Sequence, residues 1–320
     1  MNYLAPAVPN ISIIIPLYNE EAVLPELTHR LNALLAKLEE RTEVLFVDDG
    51  SKDNTGAMIQ NLSLSNECFS AIQLSRNFGH AAAITAGLEH ASASNHVMIM
   101  DGDLQDPPEM LFRFLEKTRE GYDVVYAVRK KRKEGWLKKI SYYSYYRLLK
   151  RMSGIDIPLD SGDFCLLSRR AVDVINQMPE RSRFLRGMRA WIGFSQVGLE
   201  YEREERKKGS SKYSFNRLLR LAFDGIFNFS DLPVRFIFLI GLLAILISVV
   251  YLGYALVLKL FYGQTPQGFT GLLAVIVLFS GVQLASLGII GEYVLRIFFQ
   301  TKSRPLYVVK QQVKNKQRGG

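Results

Sequence analysis

Along the first 130 positions, apolar residues come in short unbroken runs separated by stretches of helical spacing. The runs ISIIIPLY (11–18), VLFVD (44–48), FSAIQL (69–74), VMIM (97–100) and VVYAV (124–128) predict five strands. Continuous rather than alternating hydrophobicity marks strands buried on both faces, as in a parallel sheet covered by helices. Between them, residues 24–38, 55–64, 81–90 and 108–120 repeat apolar side chains three and four apart, which predicts amphipathic helices, the last stopped at Gly121. Asp53 or Asn54 reads as the cap of the second helix and Asp106 as the cap of the fourth. Strands alternating with helices in this way predict an α/β domain with an open, mostly parallel sheet.

The pattern changes after residue 230. The segments FIFLIGLLAILISVVYLGYALVL (236–258) and TGLLAVIVLFSGVQLASLGIIG (270–291) carry no charge. Each is long enough to cross the roughly 30 Å hydrocarbon core as a helix. The connecting loop FYGQTPQGF (261–269) is also uncharged, whereas Arg217, Arg220 and Arg235 precede the first span and Arg296, Lys302 and Arg304 follow the second. Basic residues stay on the cytoplasmic side, so a multi-pass topology is expected, with the N-terminal domain and both termini in the cytoplasm. The start MNYLAPAVPN has neither the basic region nor the cleavage site of a signal peptide. Leu218, Leu219, Leu221, Phe223, Ile226 and Phe227 set against Arg217, Arg220 and Asp224 predict an amphipathic helix lying at the bilayer interface. The expected division is a cytoplasmic α/β domain (1–212), an interfacial helix and linker (213–233), a two-helix transmembrane region (234–298) and a basic cytoplasmic tail (299–320). Gly241, Gly253, Gly281 and Ser286 would permit close helix packing, which leaves a homo-oligomer open.

Composition adds two constraints. A net charge of +9 would suit a nucleic-acid binder, but with 48% hydrophobic residues and an apolar C-terminal third the expected partner is a membrane bilayer, with no nucleic acid. Cys68 and Cys165 lie far apart, so neither a disulfide framework nor a zinc site is expected.

In open parallel sheets, ligands bind beyond the carboxyl ends of the strands. Four such ends carry polar clusters here: PLYNE (16–20), DDGS (48–51), SRNFG (75–79) and DGD (101–103). Neither G-x-G-x-x-G nor G-x-x-x-x-G-K-[ST] follows the first strand, so a dinucleotide fold and a P-loop are not supported. The run VMIMDGDLQDPPE ends an apolar strand in Asp101, Asp103 and Asp106. A hard divalent cation, Mg²⁺ or Mn²⁺, carrying a phosphorylated substrate is the natural counter-charge. A lone Asp-x-Asp would equally describe a solvated turn; four clusters on one rim describe a site.

Taken together, PLYNE, VDDGSKDNT, SRNFGHAAAITAGLEHA and DGDLQDPPE resemble the family 2 glycosyltransferases of GT-A type, over about residues 10–215. More narrowly they resemble the polyprenyl-phosphate glycosyltransferases, among them bacterial undecaprenyl-phosphate glucosyl transferases and dolichol-phosphate mannose synthase. The resemblance implies a nucleoside-diphosphate sugar donor bound by Pro16, Tyr18, Glu20, Asp48, Asp49, Arg76, Asn77, Gly79 and Asp101. It implies Asp101, Asp103 and Gln105 as metal ligands, with Asp103 foremost. His80 is a weaker donor-site candidate, for which helix capping or packing is an equal alternative. Arg129, Lys138 or Lys139, and Ser141, in a basic stretch interleaved with aromatics, would hold the phosphate of a polyprenyl phosphate acceptor. Asp160 or Asp163, with Asp156 behind them, would orient the reaction centre. Arg206 and Lys212 would close over the diphosphate. The implied reaction is inverting transfer of a hexose, glucose from UDP-glucose first, at the cytoplasmic leaflet of a bacterial-type inner membrane. Use of GDP-mannose is an alternative. A processive polysaccharide synthase is a rival, although its Gln-x-x-Arg-Trp sequence is broken in the stretch Arg186-Gly-Met-Arg-Ala-Trp191. A non-catalytic nucleotide-sugar sensor is the rival from another class.

Overall fold

The computed structural model describes residues 8–129, 161–181, 183–202, 232–263 and 268–314. The expected interfacial helix, and Lys138, Lys139, Ser141, Asp156, Asp160, Arg206 and Lys212, lie outside these residues. The chain divides into two units: one holds the N-terminal domain together with the chain from Arg304 onward, the other the two long apolar helices.

The first unit is built on one sheet of eight strands: β1 (Ile11–Leu17), β2 (Thr42–Asp48), β3 (Phe69–Leu74), β4 (His96–Ile99), β5 (Val124–Arg129), β6 (Ser161–Ser168), β7 (Gln196–Tyr201) and β8 (Val309–Lys314). Their order is β7-β5-β6-β4-β1-β2-β3-β8. The five expected strands are present and mutually parallel in direction, while β6 and β8 run antiparallel to their neighbours. Among the described residues six helices accompany it: α1 (Leu24–Leu35), α2 (Thr55–Ser65), α3 (His80–His90), α4 (Met110–Arg119), α5 (Arg169–Gln177) and α6 (Leu185–Trp191).

The unbroken apolar runs are explained by two cores, one on each face. Ile11, Ile13, Ile15 and Leu17 of β1 pack with Val44 and Phe46 of β2 beneath α1 and α4. Ile14 joins Leu45 and Val47 on the opposite face, with Ile84 of α3 and Val172 of α5. Successive strand residues point to opposite faces, so a strand covered on both sides needs apolar residues at every position.

Two expectations change. Asp106 does not cap α4, which begins only at Met110 after Pro107 and Pro108. Its carboxylate is buried and accepts the Tyr201 hydroxyl at 2.7 Å. The C-terminal segment, expected as a basic tail, contributes β8, which pairs antiparallel with β3 along the sheet edge.

The second unit comprises α7 (Leu232–Tyr262) and α8 (Phe269–Thr301). Their apolar windows, Phe236–Tyr262 and Leu278–Thr301, have mean hydropathies of 2.8 and 1.5, and none of either window is buried in protein. Phe238, Leu260 and Phe261 are exposed. Both helices are long and apolar enough to cross a bilayer. Charge enters α8 only near its end, where Arg296 Nε meets Glu292 at 2.9 Å one turn away.

Candidate functional site

The rim at the carboxyl ends of β1–β4 is tied together by its own loops. The Asn19 amide donates to Ser51 Oγ at 2.9 Å, and Asn19 Oδ1 accepts the Lys52 amide at 2.8 Å. The Glu20 amide donates to Thr55 Oγ1 at 2.9 Å, and the Glu21 carboxylate accepts the Asn54 amide at 2.9 Å. Asn19 takes a left-handed conformation, φ 54°, which its short polar side chain tolerates better than most. Asn54 stands at the start of α2 without a side-chain cap bond. Asp53 instead accepts the Thr55 and Glu21 amides, and although burial raises its pKa, these bonds hold it below the usual carboxylate value. Sequence order thus places PLYNE and DDGS side by side, and short Asx-type bonds fix them.

Asp48 and Asp49 are both buried at the end of β2. Asp48 Oδ1 accepts the Ser51 amide at 3.0 Å. Asp49 spans to the next loop, its two oxygens accepting the amides of Phe78 at 2.7 Å and Gly79 at 2.9 Å. Burial pushes the Asp49 carboxyl upward, against the pull of those two amides. Asp49 therefore anchors the loop carrying Arg76 and Asn77, both exposed, with the Arg76 guanidinium 4.3 Å above the Phe78 ring. Gly50 lets the loops meet: its φ is +67°, and a Cβ there would lie 2.4 Å from the Arg76 carbonyl carbon.

The centre of the site lies where β4 meets β6. Register pairs Ile99 with Cys165 and His96 with Ser168, so continuing it two residues brings Asp101 level with Asp163. Because β6 is antiparallel, its beginning reaches the same rim as the ends of the parallel strands. His80, the first residue of α3, lies between the two acids, with Nε2 3.6 Å from Asp101 Oδ1 and 3.7 Å from Asp163 Oδ2. Burial works against its charge, but Asp163 and Asp101 outweigh it and raise His80 to about 9. On the other side of Asp163, Arg186 Nε of α6 donates to Oδ1 at 3.1 Å. Burial would raise the Asp163 carboxyl, yet Arg186 and His80 hold it far below the ordinary range. An acid so held remains a fixed anion at neutral pH rather than a ready proton acceptor.

Beside it, the turn after β4 is strained. Leu104 has φ 63°, unusual for a branched residue, and its buried side chain belongs to the core against β1. The twist sets Asp103 beside Gln105, whose backbone N–H donates to Asp103 Oδ1 at 3.2 Å. Gly102 sits against β1, where a Cβ would fall 2.3 Å from Leu17 Cδ2. Asp101, Asp103 and the Gln105 side-chain oxygen are hard donors suited to Mg²⁺ or Mn²⁺. Among the described residues no group of three His, Cys, Asp or Glu side chains is disposed to hold an ion. Two carboxylates completed by phosphate oxygens are the usual Mg²⁺ arrangement, so the donor set fits a cation that arrives with a diphosphate.

The expected residues Pro16, Tyr18, Glu20, Asp48, Asp49, Arg76, Asn77, Gly79, Asp101, Asp103 and Gln105 all lie on β1–β4 or the turns that follow them. Asp163 joins them from β6. Arg129 ends β5, and among the described residues its buried Nε has no hydrogen-bond partner. Sequence reasoning undervalued His80 and missed Arg186. His80 looks like any residue opening a helix, and only the pairing of β4 with β6 reveals the acids beside it. Arg186 belongs to a stretch read only as a broken synthase motif.

The model of the family described as "Glycosyl transferase family 2" matches residues 12–175. An uncharacterized glycosyltransferase of Bacillus subtilis, YkcC, is 44% identical over 300 residues, covering 93% of each chain. An uncharacterized glycosyltransferase of Synechocystis, sll0501, is 41% identical over 93% of this chain and 94% of its own. The bactoprenol glucosyl transferase of Shigella phage SfII is 37% identical over 94% of this chain and 97% of its own. With the strand order, the polar rim and these relatives in agreement, the chain belongs to glycosyl transferase family 2, as a GT-A-type α/β transferase followed by two helices of membrane-spanning length.

Proposed function

We propose that the protein transfers a hexosyl group, glucose from UDP-glucose in the first instance, to a polyprenyl phosphate at a membrane surface. The observation that carries this reading is the meeting of Asp101 and Asp163 around His80, which joins a metal-suited turn to a second acidic strand on one rim. The full-length similarity to a bactoprenol glucosyl transferase supports glucose and a lipid carrier. The loops after β1, β2 and β3 would bind the nucleotide, with Asp48 accepting hydrogen bonds from base or ribose. Asp101, Asp103 and Gln105 would hold Mg²⁺ or Mn²⁺, which offsets charge developing on the departing diphosphate.

In the reaction, a phosphate oxygen of the acceptor bonds to the anomeric carbon as the bond from that carbon to the diphosphate oxygen breaks. The nucleoside diphosphate leaves with that electron pair, and configuration inverts. The acceptor is already ionised near neutral pH, so no strong base is required. Asp163, pinned between two cations, suits orientation of the centre. Arg129 would face the acceptor phosphate.

The strand that returns to the sheet supports a membrane-anchored reading. β8 comes after both long helices yet pairs with β3. If α7 and α8 each cross the bilayer, the chain must come back to the side of the catalytic unit, which agrees with the basic residues flanking the spans. Both features support the reading that the catalytic unit faces the cytoplasm.

The test incubates purified protein with undecaprenyl phosphate, Mg²⁺ or Mn²⁺, and a panel of labelled nucleotide-sugars, followed by organic extraction. A labelled lipid monosaccharide is expected with UDP-glucose, and Asp103→Ala should abolish it while the variant still unfolds cooperatively. Labelled lipid only from GDP-mannose would reassign the sugar. A growing polymer would indicate a synthase, and donor binding without any lipid product would sink the transferase reading.

A further inference from the structure

Three polar side chains lie in one row across the edge of the sheet. Asp48 of β2 pairs in register with Gln73 of β3, and Gln73 pairs with Gln311 of β8. Paired residues share a sheet face, here the one covered by α2. Gln60 of α2 closes the row, its Nε2 donating at 3.0 Å both to Gln73 Oε1 and to Gln311 Oε1. Gln73 Nε2 donates in turn to the Gly56 carbonyl at 2.8 Å. Gly56 is where this row meets the site: a Cβ there would lie 2.7 Å from Gln73 Nε2 and 3.0 Å from Asp48 Oδ2. Gln73 is buried, so its amide needs both partners, and an orphaned amide in that place would cost more than a surface bond is worth.

We propose that Gln311, Gln60 and Gln73 form a positioning chain that fixes Asp48 for the nucleotide-sugar, so that the strand following the second apolar helix is part of the donor site. This rests on the reading of Asp48 as a donor contact. A bare β3 edge would leave Gln73 open to water, whose competition would loosen α2 and the first turn beneath Asp48. β8 covers that edge and supplies the outer acceptor. Nothing in the run 309–314 has the acidic or aromatic character of a substrate contact; its glutamines act through their amides.

The test measures UDP-glucose and undecaprenyl phosphate kinetics on the full-length protein in detergent. Gln311→Met keeps side-chain length and removes the acceptor; it should raise the donor KM about three- to five-fold, with kcat and the acceptor KM unchanged. Gln60→Met breaks both links and should raise the donor KM about ten-fold. Gln311→Glu retains an acceptor oxygen and should behave like the parent. Both methionine variants with an unchanged donor KM, or with a loss confined to kcat, would overturn the proposal. Asp48→Asn separates the two levels. A raised donor KM for Asp48→Asn with silent glutamine variants removes the chain alone, whereas an unchanged donor KM removes the reading of Asp48 and the chain with it.

Discussion

Replacing Gly50 by Ala places a methyl group where two loops of the proposed donor rim touch. The cost has two separable parts. A non-glycine residue at φ +67° pays about 1–3 kcal/mol of backbone strain. The added Cβ also meets the Arg76 carbonyl carbon at 2.4 Å and the Asn77 nitrogen at 2.7 Å, both backbone atoms that no rotamer change can move away. Overpacking of this kind adds roughly 1–3 kcal/mol. Gly121 supplies the control, because its φ is +96° but a Cβ there would meet nothing within 4 Å. Gly121→Ala therefore carries the strain alone. For a catalytic unit of this size, 1 kcal/mol corresponds to about 2–4 °C in Tm, so Gly50→Ala should unfold roughly 2–12 °C below Gly121→Ala. Differential scanning fluorimetry on the detergent-solubilised proteins reads this difference. Donor kinetics read the second consequence: Gly50→Ala displaces Arg76 and Asn77 and should raise the donor KM, while Gly121→Ala should not. Equal melting temperatures and equal donor KM values would refute the claim that these two loops are in backbone contact.

Two further perturbations test the frame around the site. Tyr201→Phe removes the buried hydroxyl that donates to Asp106, so the carboxylate loses a close donor and the catalytic unit should lose about 1–3 kcal/mol, measured by urea unfolding of the solubilised protein. An unchanged midpoint would show that Asp106 needs no such partner. Asp123, buried at the start of β5, is held below the ordinary carboxylate pKa by Arg170, then by Ser168 and Ser195, against its burial. A depressed carboxylate stabilises the fold above its unfolded value near 3.8, and that contribution is lost as pH falls toward the folded value. The parent should therefore lose Tm more steeply below about pH 4 than Asp123→Asn does, and parallel acid profiles would contradict the assignment.

The sequence was most legible where structure is local. β1 to β4 and α1 to α3 follow directly from apolar periodicity, because each strand is covered on both faces and each helix by one stripe. The loops that follow them were legible for the same reason: a carboxylate at the end of a buried strand needs a partner, and parallel topology gathers such ends on one rim. β6, β7 and β8 were not read. SGDFCLLS starts with polar residues because its beginning reaches the polar rim, and VKQQVK has four polar positions out of six because β8 is an edge strand, covered on only part of its surface. Their places depend on partners more than sixty residues away in sequence, β4 for β6 and β3 for β8. For the same reason Asp163 could be nominated from sequence, while its opposition to Asp101 across two strands could not.

That opposition explains why the fold inserts an antiparallel strand beside β4. A parallel strand can deliver to the rim only the residues at its end, followed by a loop that must turn away into a helix. An antiparallel neighbour delivers its beginning, so two strands can present acidic groups face to face with rigid backbone behind each. Asp101 and Asp163 so placed would repel one another in the absence of cations. His80 reaches them from α3, and Arg186 reaches Asp163 from α6. The two cations come from different helices, on elements that are sequentially remote. Shifting either helix would unbalance the acids, and shifting either acid would unseat the helices. The electrostatics of this acidic pair and the packing of α3 and α6 against the sheet are therefore one constraint.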